Sequence, residues 1–218
     1  MTDDAAARWN TRYRGLETEA SSAALELRPP ASLRRLEPFL PAPTVAVDLA
    51  GGNGGGALWL AERGFDPVLV DVSDVALTQA SDVAALRSLP LRTACVDLAG
   101  WPLATILDEV PADVGLVTCF HYLNRALLSS IGAGLPPGAV FMAAIATETN
   151  LERNARPSAR FLLKPGELAA LVLGDGSPGT ELEVLHSNEG WTDTGHHEAE
   201  LVVRRSGAST SVAHTLNP

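Results

Sequence analysis

Cysteine is scarce in this chain, which has 218 residues and only two cysteines, Cys95 and Cys119. The two do not form a C-x-x-C pair, so the sequence predicts no metal site. Both fall within predicted strands, where a cysteine behaves as a small apolar side chain. We therefore expect both thiols to be buried.

Long apolar runs are also missing. No stretch approaches the roughly 20 residues that a helix needs to cross a bilayer. The N-terminus, Met1 to Asp4, is acidic and lacks the apolar core of a signal peptide. These observations lead us to expect a soluble, cytoplasmic protein.

Positive charge is in short supply. The chain has 16 Lys and Arg against 26 Asp and Glu, which gives a net charge of −10. Nucleic acids and anionic membranes are bound by clustered basic residues, so we expect neither as a partner. A small-molecule substrate is favoured, with the protein a monomer or homodimer. Hydrophobic residues make up 46 % of the chain, which is enough for a large core.

The rest of the sequence is organised around residues 45–61. A short valine-rich run ends at Asp48, glycines follow, and an apolar helix pattern begins near Ala57. The run is typical of a buried parallel strand, and the glycines allow a sharp turn close to a ligand. The free amide groups of the following helix would face that ligand, at the carboxyl end of the strand.

Two ligands compete for this loop. Gly52 to Ala57 fits the dinucleotide pattern G-x-G-x-x-A, and Asp71 follows at some distance. However, Asp48 would place a carboxylate where it repels a pyrophosphate. That carboxylate suits S-adenosylmethionine, which carries an ammonium and a sulfonium and no phosphate. We favour S-adenosylmethionine, while the dinucleotide and a purely structural turn remain as alternatives.

Acidic residues end the next two predicted strands. Asp71 follows the second strand, where it could accept hydrogen bonds from two ribose hydroxyls. Asp97 follows the third, where it could meet an adenine amino group or serve as an ordinary loop residue. We assign their neighbours Val72 and Leu98 to the same site, together with Phe120 at the end of the fourth strand.

An aromatic pair stands near the N-terminus. Trp9 and Tyr13 lie four residues apart on a helix predicted to end at Gly15, so they share one face. That face either packs on the domain or forms a lid over the cofactor. We include both residues among the cofactor contacts.

A polar and aromatic cluster, residues 121–125, follows the fourth strand. His121 is the candidate general base, Tyr122 its orienting partner and Arg125 an anion clamp. Alternatively, His121 only shapes the adenine pocket and Arg125 only pairs with an acid on its own helix. Residues 150–163 are either a flexible flap over the substrate or an ordinary solvated loop.

The periodicity predicts alternating strands and helices followed by a terminal hairpin. The two last strands have no helix between them, so we expect them to be antiparallel. The predicted strands are 45–48, 67–73, 91–98, 112–120, 139–147, 180–187 and 198–205, and the predicted helices include 31–40, 73–87 and 164–174.

These motifs resemble class I S-adenosylmethionine-dependent methyltransferases, and within them the tellurite-resistance type. The resemblance runs from Trp9 to about Arg205. The segments that carry it are Trp9-Asn10-x-Arg12-Tyr13, Asp48-Leu49-Ala50-x-Gly52-x-Gly54, Val70-Asp71-Val72-Ser73, Tyr122-Leu123-Asn124-Arg125 and Phe161 to Leu168.

The resemblance implies an α/β, Rossmann-like fold, in which a seven-stranded mixed sheet has the order 3-2-1-4-5-7-6, strand 7 is antiparallel, and helices cover both faces. It implies a methyltransferase domain over residues 44–206, after a helical lid or cap at 1–43 and before a disordered tail at 207–218. It also implies that Asp48, Ala50, Gly52 and Gly54 shape the methionine end of the site. Such proteins usually have glycine at Ala50, cysteine at Gly51 and arginine-asparagine at Gly55-Gly56, so the loop here has lost a basic side chain.

Overall fold

The computed structural model describes residues 3–17, 28–110, 113–174 and 181–207. The predicted loop 175–179, the predicted strand starts at 112 and 180, and all but the first residue of the predicted tail 207–218 lie outside these ranges. Among the described residues, no helix has the length and apolar character needed to cross a membrane.

The described residues form a seven-stranded sheet with the order β3-β2-β1-β4-β5-β7-β6. All neighbouring strands are parallel except β7, which is antiparallel to both β5 and β6. The strands are β1 Val45–Leu49, β2 Asp66–Asp71, β3 Arg92–Cys95, β4 Val114–Phe120, β5 Val140–Ala146, β6 Leu182–Trp191 and β7 His197–Arg205. This confirms the predicted class I methyltransferase topology.

Helices cover both faces of the sheet, as predicted. One face packs against α5 to α8, and the other packs against α2 and α3. The helices are α1 Asp3–Glu17, α2 Ala31–Arg35, α3 Gly55–Ala61, α4 Asp74–Leu86, α5 Leu103–Asp108, α6 Arg125–Ser129, α7 Ile131–Gly134 and α8 Glu167–Leu173, with short 3-10 turns at Glu37–Phe39, Glu148–Glu152 and Ala159–Phe161.

Several local predictions were wrong. The helix predicted at 31–40 ends at Arg35 and is followed by a 3-10 turn, and β6 extends to Trp191 instead of ending at 187. Helix α1 continues through Gly15 to Glu17. Strand β3 is only four residues long, against the eight predicted. Cys119 is buried as expected, but Cys95 is exposed. Because β3 is a short edge strand that alternates between half-buried and exposed residues, it gives the Cys95 thiol no core to enter.

The segment 150–163, predicted to be a flap or a solvated loop, contacts the terminal hairpin. The Asn150 side chain is fully buried. Its Oδ1 accepts from the backbone N–H of His197 at 3.1 Å, and its Nδ2 donates to the carbonyl of Arg156 at 3.0 Å. Leu162 and Leu163 are also fully buried. A role as a substrate cover stays a prediction.

Candidate functional site

The candidate site lies where β1 and β4 end side by side. The chain runs from β1 to β2 on one side, while β4 occupies the other side, so the strand order reverses here. Open α/β sheets bind ligands in the crevice at such a reversal. In the β1–β4 register, Leu49 pairs with Cys119. The glycine loop after β1 and His121 after β4 therefore leave the sheet at the same edge.

Left-handed backbone shapes the loop after β1. The φ angles of Ala50, Gly52 and Gly54 are 53°, 58° and 83°. Glycine adopts such angles freely, whereas a side chain strains them. Gly54 then caps α3, and its carbonyl accepts the first helical hydrogen bond, from Leu58.

Asp48 lies beneath this loop and is 4 % exposed. Its Oδ1 accepts from the Thr118 hydroxyl at 2.7 Å, and the backbone N–H of Ala57 in α3 also stabilises its charged form. Burial raises the pKa of Asp48 to about 6, against the lowering effect of these two donors. A carboxylate thus already occupies the N-terminus of α3, where a dinucleotide would place its pyrophosphate.

Asp71 ties the loop to the end of β2. Its Oδ2 accepts from the backbone N–H of Gly52 at 2.9 Å, and its Oδ1 accepts from Ser73 at 2.9 Å. Burial raises the pKa of Asp71, and the backbone donors oppose that rise. Each carboxylate oxygen has a second lone pair, so Asp71 retains the capacity to accept from ribose hydroxyls.

The N-terminal helix α1 covers the loop. A Cβ on Gly52 would lie 2.3 Å from the hydroxyl of Tyr13. Trp9 stacks on Tyr13 with their ring centroids 6.0 Å apart. Burial and the charge of Asp71 raise the pKa of Tyr13 to about 12. The structure therefore brings Tyr13 to Gly52 and Asp71, with Trp9 behind it.

Asn10 fixes α1 to the start of α4. Its side-chain amide donates to Asp74 Oδ1 at 2.6 Å, and its carbonyl oxygen accepts from the Ser73 hydroxyl at 2.6 Å. Ser73 is also the N-cap of α4 and accepts from the backbone N–H of Ala76. Asn10 therefore connects the helix that carries Tyr13 to the turn that follows Asp71.

Close neighbours surround the other glycines of the loop. A Cβ on Gly51 would lie 2.4 Å from Asp48 Oδ2, and one on Gly56 would lie 3.0 Å from the same atom. A Cβ on Gly55 would lie 2.3 Å from the backbone carbonyl of Arg28. The glycine-rich loop is therefore enclosed by its neighbours.

The remaining predicted cofactor contacts lie at or just after the carboxyl ends of β2, β3 and β4. Val72 is half-buried directly after Asp71. Asp97 follows β3 and accepts from the backbone N–H of Ala99 at 2.9 Å. Leu98 and Phe120 are buried in the cores on opposite faces of the sheet, so their side chains serve packing. Their roles toward a cofactor stay predictions.

The three candidate catalytic residues have different surroundings. The side chain of His121 is half-exposed, and its Nδ1 lies 3.7 Å from Glu198 Oε1. Tyr122 is partly buried, and burial raises the pKa of its hydroxyl. Arg125 pairs with both carboxylate oxygens of Glu167, at 2.6 and 2.9 Å, so its guanidinium is already engaged. That acid belongs to α8, whereas the alternative interpretation placed it on the helix of Arg125.

Sequence reasoning missed one group of charged residues. Glu198 and Glu200 of β7 are each 6 % exposed and meet Arg35 of α2. Their spacing of two residues was the available signal, since it places them on one face of the strand. Alternating acids on a terminal strand ordinarily indicate a solvated face, and the sequence does not show that Arg35 covers this one.

No family model matches the chain, and a search of curated proteins by sequence finds no match. Solved structures do match. TehB from Haemophilus influenzae is 14 % identical with a TM-score of 0.59, over 80 % of this chain and 61 % of that protein. A TehB-like SAM-dependent methyltransferase from Corynebacterium glutamicum is 14 % identical with a TM-score of 0.57, over 92 % and 98 %.

A third match is magnesium protoporphyrin IX methyltransferase from Synechocystis, solved with bound SAH. It is 16 % identical with a TM-score of 0.56, over 80 % of both chains. At these identities the likeness establishes the fold, and the reaction has to be argued from the site.

Proposed function

We propose that this chain binds S-adenosylmethionine at the β1–β4 crevice and transfers its methyl group to a small-molecule acceptor. The observation that carries the proposal is the pair of buried carboxylates around the glycine loop, Asp48 beneath it and Asp71 on the N–H of Gly52. Two acids suit a cationic cofactor that has no phosphate. The solved structures with this fold include S-adenosylmethionine-dependent methyltransferases, which supports the same assignment.

The same carboxylates argue against a dinucleotide. A pyrophosphate binds at a helix N-terminus through free backbone amides. In this chain the N–H of Ala57, in the first turn of α3, already stabilises the charged form of Asp48. A pyrophosphate placed there would lose a donor and meet a negative charge. The nicotinamide alternative is therefore disfavoured by charge.

Asp71 would hold the ribose, and Tyr13 and Trp9 would cover the bound cofactor. The Tyr13 hydroxyl already lies over Gly52. Helix α1 would therefore have to shift for the cofactor to enter and could then close over it. Such a cover would also exclude water from the reacting groups. We further propose that the chain is of the tellurite-resistance type, and its TehB-like structural neighbours support this.

When bound, the sulfonium supplies an activated methyl group, so the protein mainly has to align the acceptor. A general base is needed when the acceptor must lose a proton. His121 is the best-placed residue for this, because it follows β4 at the crevice and its ring is half-exposed. Replacing His121 with Ala should lower turnover without weakening cofactor binding. Unchanged turnover would remove His121 from the mechanism.

Isothermal titration with S-adenosylhomocysteine, alongside NAD, tests the cofactor directly. We expect micromolar binding of S-adenosylhomocysteine and none of NAD. Asp71→Asn should weaken that binding at least about ten-fold, because an amide has a single acceptor oxygen for two backbone donors. Asp66→Asn is the matched control at the other end of β2, where the carboxylate pairs with Arg92 at 2.7 Å.

The outcomes separate the candidate functions. Binding of NAD alone would overturn the proposal in favour of an oxidoreductase. Binding of S-adenosylhomocysteine without methyl transfer to any of a broad panel of oxyanions, thiols, amines and phenols would favour a non-catalytic sensor or partner subunit. Equal affinities of the two Asn variants would remove Asp71 from the cofactor site.

A further inference from the structure

A partly buried ionic cluster adjoins the crevice on the face of the sheet that packs against α2. We call it the Arg35 cluster, and it comprises Arg35, His121, His186, Glu198 and Glu200. The exposed Asp193 also lies 3.7 Å from Arg35 Nη1. Arg35 donates to Glu198 Oε2 at 2.7 Å and to Glu200 Oε1 at 2.8 Å. The second oxygen of each glutamate faces a histidine: Glu198 Oε1 lies 3.7 Å from His121 Nδ1, and Glu200 Oε2 lies 3.3 Å from His186 Nε2.

The two glutamates are nearly equivalent. They occupy alternate positions of β7, are each 6 % exposed and share one guanidinium. They differ in the histidine that each one faces. His186 lies on β6 and packs on Phe39, with ring centroids 4.9 Å apart, whereas His121 lies at the end of β4 beside the glycine loop. Only Glu198 therefore connects the cluster to the crevice.

Burying two carboxylates under one guanidinium is costly. Desolvation of charged groups often exceeds the attraction between them, so stability alone is a weak reason for such a cluster. Apolar side chains would pack this position well, since Val202 on the same face of β7 is fully buried. A functional role for one carboxylate, at the histidine beside it, explains the arrangement better than stability does.

We infer that Glu198 is a positioning residue that holds His121 as the general base of methyl transfer. This rests on the proposed function. Arg35 fixes one oxygen of Glu198 and leaves the other beside His121 Nδ1. At 3.7 Å the carboxylate acts on the ring through its charge, and that charge favours the tautomer with its proton on Nδ1 and its lone pair on Nε2. Among the described residues, Nε2 of His121 has no hydrogen-bond partner.

Methyl transfer to the acceptor combines one proton transfer with the exchange of one bond for another. The acceptor atom, a nitrogen, oxygen or sulfur that carries a hydrogen, loses its proton to Nε2 and forms the new bond to the methyl carbon. The bond between that carbon and the sulfonium breaks, and its electrons stay on sulfur. The products are the methylated acceptor, the neutral thioether and an imidazolium. Glu198 stabilises that imidazolium, as the carboxylate does in other acid–histidine pairs.

The groups around His121 shift its pKa in opposite directions. Surrounding protein atoms displace water from the ring and lower the pKa of His121, and Arg35 and His196 lower it further. Glu198 alone among these neighbours raises that pKa. Loss of the Glu198 charge should therefore lower the pKa of His121 and leave a weaker base.

NMR of the ¹⁵N-labelled histidine rings tests the inference without any acceptor. The full-length chain has five histidines, and the signal missing from the His121→Gln spectrum assigns His121. We expect the wild-type ring to carry its proton on Nδ1. Glu198→Gln should lower the pKa of His121 and abolish its preference for that tautomer. Glu200→Gln, the matched control, should leave both the pKa and the tautomer of His121 unchanged.

Two results would overturn the inference. One is a wild-type His121 ring with its proton on Nε2, and the other is an equal response of His121 to both glutamate variants. For an acceptor found with radiolabelled S-adenosylmethionine, Glu198→Gln should lower kcat by on the order of ten- to a hundred-fold and Glu200→Gln should not. Equal losses would likewise overturn it.

Titration of each variant with S-adenosylhomocysteine keeps the inference separate from the proposed function. Failure of wild-type binding would end the methyltransferase proposal, whatever the NMR spectra show. Normal binding with an unresponsive His121 would end only the role of Glu198.

Discussion

Replacing Asp48 with Asn should stabilise the protein at neutral pH and not at acidic pH. Burial raises the pKa of Asp48 from its ordinary 3.8 to about 6. The folded state thus holds this proton up to a higher pH than the unfolded state does. Between about pH 4 and pH 6 the free energy of unfolding therefore falls as the pH rises. An Asn at this position does not titrate, so the variant should lack this part of the pH dependence.

The size of the effect follows from the same values. Each pH unit corresponds to about 1.4 kcal/mol, so the carboxylate costs about 3 kcal/mol of folding free energy at pH 7. Solvent does not reduce this free energy, because Asp48 is 4 % exposed. Asn can keep both contacts. Its oxygen can accept from Ala57, and its amide can donate to the Thr118 hydroxyl, which is free to rotate.

The assay is urea denaturation of both proteins from pH 4 to pH 8. The variant's gain over the wild type should grow by about 2 kcal/mol from pH 4 to pH 7, because a small part of the total of about 3 kcal/mol is already lost at pH 4. A gain that stays constant across the range would refute the reasoning. Thr118→Val is a second check. The hydroxyl lowers the pKa of Asp48, so its removal should move the pH-dependent region to higher pH.

Three further predictions concern the site and its surroundings. Ala50→Gly should raise the free energy of unfolding by about 1 kcal/mol, because Ala50 has a φ of 53°, and an unchanged melting temperature would contradict this. Gly52→Ala should destabilise the fold by at least about 1 kcal/mol and abolish S-adenosylhomocysteine binding. The same substitution in a Tyr13→Ala background should destabilise the fold less, because the contact with the Tyr13 hydroxyl is gone. Arg35→Met should lower the free energy of unfolding by about 2 kcal/mol at pH 8, because two buried carboxylates lose their guanidinium. The loss is moderate because solvent reaches the Arg35 side chain, which is 28 % exposed. An unchanged free energy of unfolding would show that the cluster does not need Arg35.

The fold could be predicted because its signals are local. Short apolar runs alternate with helical periodicity, and the glycine loop identifies the first strand. Asp71 could be placed as well, since an acid directly after a buried strand lies at the ligand-binding edge of a parallel sheet. The exposure of Cys95 could not be predicted, because whether a strand lies at the edge of the sheet depends on the strand order.

The Arg35 cluster could not be predicted from the sequence. Two acids at alternate positions of a strand look like its solvent face. Whether that face is covered depends on a helix about 160 residues earlier in the chain, as the separation of 163 between Arg35 and Glu198 shows. His121 could be predicted as a candidate base, because its place after β4 is visible in the sequence. Its carboxylate neighbour Glu198 could not be predicted, because it comes from a distant strand. Pairings over such distances leave no periodic signal.

The enclosed glycine loop limits how this protein can be re-engineered. One way to alter the loop is to introduce arginine-asparagine at Gly55-Gly56, the pair that the resemblance to the tellurite-resistance type implies. A side chain at Gly55 would meet the carbonyl of Arg28 at 2.3 Å, and one at Gly56 would crowd Asp48 at 3.0 Å. Changing the loop alone should therefore fail. The loop and the segment around residue 28 would have to be changed together.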